Sequence, residues 1–142
     1  MLMGIPRVLT PDLLAAMMEM GHGDELVIAD ANFPAASVAR DAGARLLRAD
    51  SAGGAALMDA ILTFLPLDAA DSPVRAMVGP EGSSAIHAEY GAILERHGYA
   101  RDRMIHILKA DFYARAGSAF AVVASGEPAR FANLIIRKGV VK

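Results

Sequence analysis

Two residues of this 142-residue chain have types and settings suited to chemistry, His22 and Asp30. Histidine moves protons near neutral pH because its unperturbed pKa of about 6.5 keeps both forms accessible. Gly21 and Gly23 flank His22 and leave little side-chain bulk between its imidazole and a ligand. The same histidine can equally serve the end of the helix that precedes it. Asp30, once ionised, offers several lone pairs and no donors, so it can accept hydrogen bonds from two hydroxyls of one ligand. It can equally cap a short helix beginning near Ala35 or bond the turn around Asn32. Full extension would place the two residues up to roughly 26 Å apart. One site holding both therefore requires the His22 loop to fold back, or a neighbouring subunit to complete it.

The remaining histidines are weaker candidates. His87 and His97 fall on a predicted surface helix, and His106 alternates in phase with Met104 and Leu108, so each reads as structural or solvated. No two histidines have the close spacing on one helix that zinc hydrolases use, and there is no cysteine, so no metal site is expected. The lack of cysteine also excludes disulfides and thiolate chemistry. Gly79-Pro80-Glu81-Gly82 resembles a phosphate loop only in composition, with no lysine at the required spacing. Ser51, Ser83, Ser84, Ser118 and Ser125 lack the glycine-flanked pattern of hydrolase nucleophiles.

The elements that must position His22 and Asp30 follow from local pattern. Thr10-Pro11-Asp12 reads as an N-cap with proline at the first helical position; Leu14, Met17 and Met18 recur at helical spacing, and Gly21 closes the helix. Glu25 to Asp30 is a short, mostly apolar run that suits a strand buried on both faces, with Asp30 at its carboxyl end. A short helix from near Ala35 leads to a second strand, Arg45 to Arg48. Leu57, Met58, Ile61, Leu62 and Leu65 form one apolar stripe ended by Pro66. Further strands are predicted at Val74–Val78, Met104–Leu108, Ala121–Ala124 and Leu134–Ile136, with helices over Ser84–His97 and Asp111–Phe120. Strands alternating with helices imply an α/β sandwich. Ligands in such sheets sit beyond the carboxyl ends of the strands, which makes Ala31-Asn32-Phe33-Pro34 a plausible site wall.

The chain has the length of one domain, and residues 1–142 are read as one. An apolar share of 54% fills a core with surface to spare, which favours burial between subunits. A net charge of −2 gives no electrostatic reason to expect nucleic acid or an anionic membrane as partner. No apolar stretch approaches the ~18 residues of a membrane span. The opening MLMGIPRVLTPDLL has no secretory pattern, so a cytoplasmic location is expected.

The segment Glu19-Met20-Gly21-His22-Gly23-Asp24-Glu25-Leu26-Val27-Ile28-Ala29-Asp30-Ala31-Asn32-Phe33-Pro34-Ala35 resembles the opening motif of the L-fucose mutarotases, of which the D-ribose pyranases carry a more distant version. Further matches lie at Arg48-Ala49-Asp50, at Phe112-Tyr113-Ala114-Arg115-Ala116 continuing through Ser125-Gly126-Glu127, and at Asn133 through Val141, so the resemblance spans the whole chain. It implies that His22 moves protons and that Asp30 binds sugar hydroxyls. It also implies a basic group three positions before Phe112, arginine in fucose mutarotases and histidine in ribose pyranases; here it is Lys109. The family's last site element, a tyrosine, a small residue and an asparagine, is here Phe131-Ala132-Asn133, which keeps the amide and loses the phenolic hydroxyl.

The fold expected from pattern and resemblance together is a single three-layer α/β/α sandwich with a central mixed sheet. The resemblance further implies a ring-shaped homo-oligomer, typically a decamer of two stacked pentamers, with monosaccharide sites between subunits. The reaction it implies is interconversion of aldose anomers by acid–base ring opening, L-fucose being the leading substrate, with no cofactor required. The alternatives are a ribose pyranase-type ring isomerase and a sugar-binding or regulatory module without turnover, the latter motivated by Lys109 and Phe131.

Overall fold

The computed structural model describes residues 2–70 and 72–142. Thr10 begins the first helix by accepting from the Leu13 amide at 3.3 Å, and Pro11 occupies its first turn, giving α1 (Pro11–Glu19). Gly21 does not close this helix. Met20 leaves it in an extended conformation, and the left-handed residue of the following loop is Gly23, at φ 87°. A side chain there would meet the Arg137 guanidinium.

The chain then runs β1 (Glu25–Ala29), α2 (Ala35–Ala42), β2 (Arg45–Ala49), α3 (Gly54–Leu62), β3 (Val74–Val78) and α4 (Ala85–Arg96). A 3₁₀ turn (Arg101–Arg103), β4 (Met104–Leu108), α5 (Lys109–Ala116), β5 (Ala121–Ser125) and β6 (Leu134–Arg137) follow. The apolar stripe expected to run to Pro66 leaves the helix at Leu62, and Leu65 packs from the loop beyond. The last helix differs most from expectation. It starts at Lys109 directly off β4 and stops at Ala116, because the chain must turn back so that the Phe120 amide can donate to the Glu25 carbonyl at 2.8 Å.

The six strands form one mixed sheet in the order β2-β5-β1-β6-β3-β4. Only β6 runs against its neighbours, antiparallel to both β1 and β3, while the other pairs are parallel. Alternate residues of β1 face opposite layers. Leu26 and Ile28 join the core beneath α1, α3 and α4; Val27 and Ala29 join the core beneath α2 and α5. This is the α/β architecture expected, with helices on both faces of the sheet. Among the described residues, no helix is long and apolar enough to cross a membrane.

The topology has one consequence for function. Because β6 is inserted against the direction of β1 and β3, its entry lies beside their exits. The register Ile28 to Leu134 places Asn133 next to the end of β1 and therefore beside Asp30. At the opposite end of the strands, the loop after Leu67 is held by Asp68. This buried carboxylate lies 2.8 Å from Arg137 Nε and accepts from the Ala70 amide at 3.2 Å, while its own backbone carbonyl accepts from Arg103. The Ala70 amide foremost, with His22 and Arg137, holds the Asp68 carboxyl below the usual carboxylate range.

Two predictions follow from these packing relations. A Cβ at Gly126 would lie 2.1 Å from the Asp50 carbonyl oxygen, a backbone atom with no room to move. Gly126→Ala is expected to lower unfolding free energy by about 1–3 kcal/mol in urea denaturation. Asp68 has a depressed folded-state pKa, so its contribution is present above the ordinary carboxylate range and lost as pH falls through the folded value. Stability measured across acid pH should therefore decline less steeply in Asp68→Asn, which starts from a lower plateau at neutral pH.

Candidate active site

A cleft of about 460 Å³ opens at the carboxyl ends of β1, β3 and β4, lined by Asp30, Asn32, Phe33, Met77, Lys109, Tyr113, Arg130, Phe131 and Asn133. Its floor is a buried pair of polar side chains. The Asp30 amide donates to Asn133 Oδ1 at 2.7 Å, and Asn133 Nδ2 donates back to Asp30 Oδ2 at 3.0 Å. The Asp30 carboxylate also accepts from the backbone amides of Asn32 at 3.0 Å and Ala132 at 3.3 Å. An ionised carboxylate has about four acceptor sites, so three protein donors leave roughly one for a ligand hydroxyl. The turn-bonding role considered for Asp30 is thus realised, whereas the helix-capping role is not, since α2 has no side-chain cap.

The turn before β6 supplies the back wall. Phe131 is held at φ 58°, a left-handed conformation that is uncommon outside glycine. Its ring packs so closely on β3 that a Cβ at Gly79 would lie 2.6 Å from it. Ala132 does not line the cleft. It is buried, its amide donates to Asp30, and its carbonyl accepts from the Tyr90 hydroxyl at 2.8 Å. Burial pushes the Tyr90 hydroxyl pKa up, so it stays a donor.

Lys109 and Tyr113 stand one turn apart on α5, with the lysine Nζ 5.7 Å from the centre of the Tyr113 ring. Burial, assisted by the charge of Asp30, raises the Tyr113 pKa. A phenol held protonated therefore lines the same cleft as Phe131, which lacks one. The shorter, earlier α5 is what brings Lys109 and Tyr113 to one face. Met77 and Arg130 are cleft residues not singled out from the sequence, and Tyr113 enters from the sequence only within the family-like segment 112–116, with no role attached to it. For Met77 and Arg130 no signal was present.

His22 lies elsewhere. It is on the loop entering β1, whereas Asp30 leaves the same strand, and five strand residues between them span about 17 Å. The His22 loop does not fold back on the cleft. The side chain is 59% exposed, and its Nε2 lies 3.2 Å from Asp68 Oδ1. With Nε2–H donating to that carboxylate, Nδ1 is left as the basic nitrogen. One chain thus brings Asp30, Lys109, Phe131 and Asn133 together and keeps His22 apart. Among the described residues, no group of three histidine or acidic side chains is placed to hold a metal ion.

His87, expected on a surface helix, is instead buried on the inner face of α4, at 2% exposure. His106 is exposed on β4, with its ring 5.2 Å from that of His87. His97 bonds Asp59 at 2.8 Å and holds that carboxyl below its usual range.

The chain is similar over nearly its whole length to proteins of one kind. It is 45% identical to the fucose mutarotase of Homo sapiens across 99% of this chain and 94% of that protein. It is 40% identical to the L-fucose mutarotase of Haemophilus influenzae across 99% and 97% of the two chains. Its fold matches the crystal structure of the fucose mutarotase in complex with L-fucose from Streptococcus pneumoniae with a TM-score of 0.92. That match has 42% identity and covers 99% of this chain and 100% of that one. The model of the RbsD / FucU transport protein family matches residues 3–141, and the chain belongs to that family.

Proposed function

We propose that this protein is an L-fucose mutarotase, an isomerase that interconverts the anomers of a free sugar by opening and reclosing its ring. The observation that carries this reading is the full-length likeness to a fucose mutarotase solved with L-fucose, joined to a polar-floored cleft at the carboxyl ends of the strands. Asp30 has an acceptor site left for a sugar hydroxyl, Asn133 is fixed beside it, and Lys109 supplies a cation at the rim. Phe33, Phe131 and Met77 offer apolar surface for the carbon face of the ring and its methyl group.

His22 is the acid–base group, and in this proposal it acts on sugar in the cleft of a neighbouring copy. Its distance from Asp30 within one chain supports that reading, as does the exposure of Leu108 and Ile105 on edge strand β4 next to the cleft. The assembly is a ring-shaped homo-oligomer, a decamer of two stacked pentamers, with sites between subunits. In the reaction His22 Nδ1 removes the proton of the anomeric hydroxyl while the bond from C1 to the ring oxygen breaks. The ring oxygen takes a proton, which in this proposal comes from the Tyr113 phenol lining the cleft. The C1 aldehyde then turns and is attacked by the same oxygen on its other face, and both protons return. No net proton, electron or atom is gained.

A second reading, a sugar-binding module without turnover, is favoured by Phe131 and Lys109. Phe131 has no hydroxyl, and a lysine presents a point charge in place of a planar bidentate fork.

Saturation-transfer NMR of anomer exchange separates the two readings. The wild type should accelerate exchange of L-fucose more than that of D-ribose, and His22→Ala should lower the rate by about 10²–10⁴-fold while sugar binding persists. Sugar binding by calorimetry with exchange at background would instead establish the non-catalytic module. A shared site makes a further prediction. His22→Ala and Asp30→Asn chains, each inactive alone, should regain part of the activity when unfolded and refolded together, because some interfaces then carry one intact half from each. Absence of complementation in oligomers shown to be mixed by native mass spectrometry, with one of the two chains isotope-labelled, would place the whole site in one chain.

A further inference from the structure

The buried histidine of α4 has a role that the cleft chemistry does not absorb. His87 lies behind the cleft wall and makes four polar contacts. Its Nδ1 accepts from the Ser84 amide at 2.9 Å and lies 3.1 Å from the Ser84 hydroxyl, at the start of α4. Because Nδ1 accepts an N–H, the proton of the neutral ring is on Nε2. Nε2 lies 2.8 Å from the Met77 carbonyl and 3.2 Å from the Phe131 carbonyl, so one N–H is shared between two cleft-wall residues on different elements. Phe131 is the residue held in the left-handed region, and such a conformation persists only where its surroundings over-determine it. Three positions further along the same helix face, Tyr90 fixes the next carbonyl, that of Ala132. The Met77 amide closes the loop by donating to the Asn133 carbonyl at 2.9 Å.

We propose that His87 is a positioning residue for sugar binding: its Nε2–H, shared by the Met77 and Phe131 carbonyls, sets the Phe131 turn and with it the Phe131 ring and the Asn133 amide. The inference rests on the reading of the cleft as a sugar site. It makes His87 a two-ended device, with one nitrogen serving helix stability and the other serving the cleft.

The two ends can be separated by substitution. Glutamine carries an amide N–H at the reach of Nε2 but no acceptor at the place of Nδ1; asparagine carries an acceptor at the place of Nδ1 but cannot reach the two carbonyls. His87→Asn should keep most of the thermal stability and raise the KM for L-fucose exchange about tenfold or more, with a smaller effect on kcat. His87→Gln should lose more stability and keep a KM within about threefold of the wild type. A merely structural histidine would make KM follow stability in both variants, and that order, or an unchanged KM in His87→Asn, overturns the proposal.

A measurement on the wild-type protein keeps the test alive should both variants fail to fold. In ¹⁵N spectra, His87 should be protonated at Nε2 and bare at Nδ1, and its Nε2 resonance should shift on titration with L-fucose at the midpoint of sugar binding. The opposite tautomer, or a resonance indifferent to saturating sugar, overturns it. Failure of the wild type itself to bind or exchange L-fucose would strike the sugar-site reading and be visible before any variant is made.

Discussion

The candidate site depends on the reciprocal bond between Asp30 and Asn133. Hydrogen bonds to a charged partner in a buried setting each contribute about 1.5–3 kcal/mol, and a partner left alone there costs a comparable amount. Both side chains are buried, so neither can turn to water for compensation. The pair therefore requires that the end of β1 and the entry of β6 meet, and only an antiparallel β6 between β1 and β3 meets that requirement. The lock also draws in the Asn32 and Ala132 amides, so both walls of the cleft hang on one carboxylate. Asp30 serves the fold and still has room for the ligand role proposed for it, because a carboxylate has more acceptor sites than the fold fills.

The same strand that fixes Asp30 separates it from His22. A five-residue strand is rigid and extended, and no rotation of side chains closes about 17 Å. The two ends have different characters. At the Asp30 end the polar groups are buried and satisfied by backbone amides. At the His22 end an exposed imidazole is tethered to a buried carboxylate that also faces Arg137. A base intended for the interior of its own chain would gain nothing from exposure. The proposed role of His22 at a neighbouring surface requires it to project, and the contact with Asp68 orients the imidazole without covering it.

What was legible in the sequence is what depends on local pattern. A buried run ending in a polar cluster places Asp30 at a strand exit, and Asn32 and Phe33 beyond it do line the cleft. The alternation of strands and helices likewise reads correctly as α/β. The strand order is not legible, because the reversal of β6 is a long-range choice, and with it goes the position of Met77. The boundaries of α5 fail for a related reason. Helical pattern continues past Ala116, but the Phe120 amide is claimed by Glu25 on β1, so the helix stops early. His87 is misjudged as surface because its partners are carbonyls, which leave no trace in residue type. Its place three residues after Ser84 resembles a capping box with histidine in the position usually held by glutamate or glutamine.

The replacements in the cleft, Lys109 and Phe131, are best weighed together with Tyr113. A tyrosine at 131 would put a hydroxyl on the β6 side of the cleft; here the only phenol among its lining residues is on α5, one helical turn from the lysine. The Lys109 ammonium near the Tyr113 ring favours a fixed orientation of that ring, while burial and Asp30 keep the phenol protonated. A protonated phenol can donate to a ring oxygen only transiently and must recover its proton, which suits a reaction whose proton balance is zero. With phenylalanine at 131, the β6 wall offers no phenol, and the proposed mechanism has only the Tyr113 phenol of α5 to draw on among the lining residues. The constraint that survives is the geometry set by Asp30 and Asn133, against which any donor must be aligned.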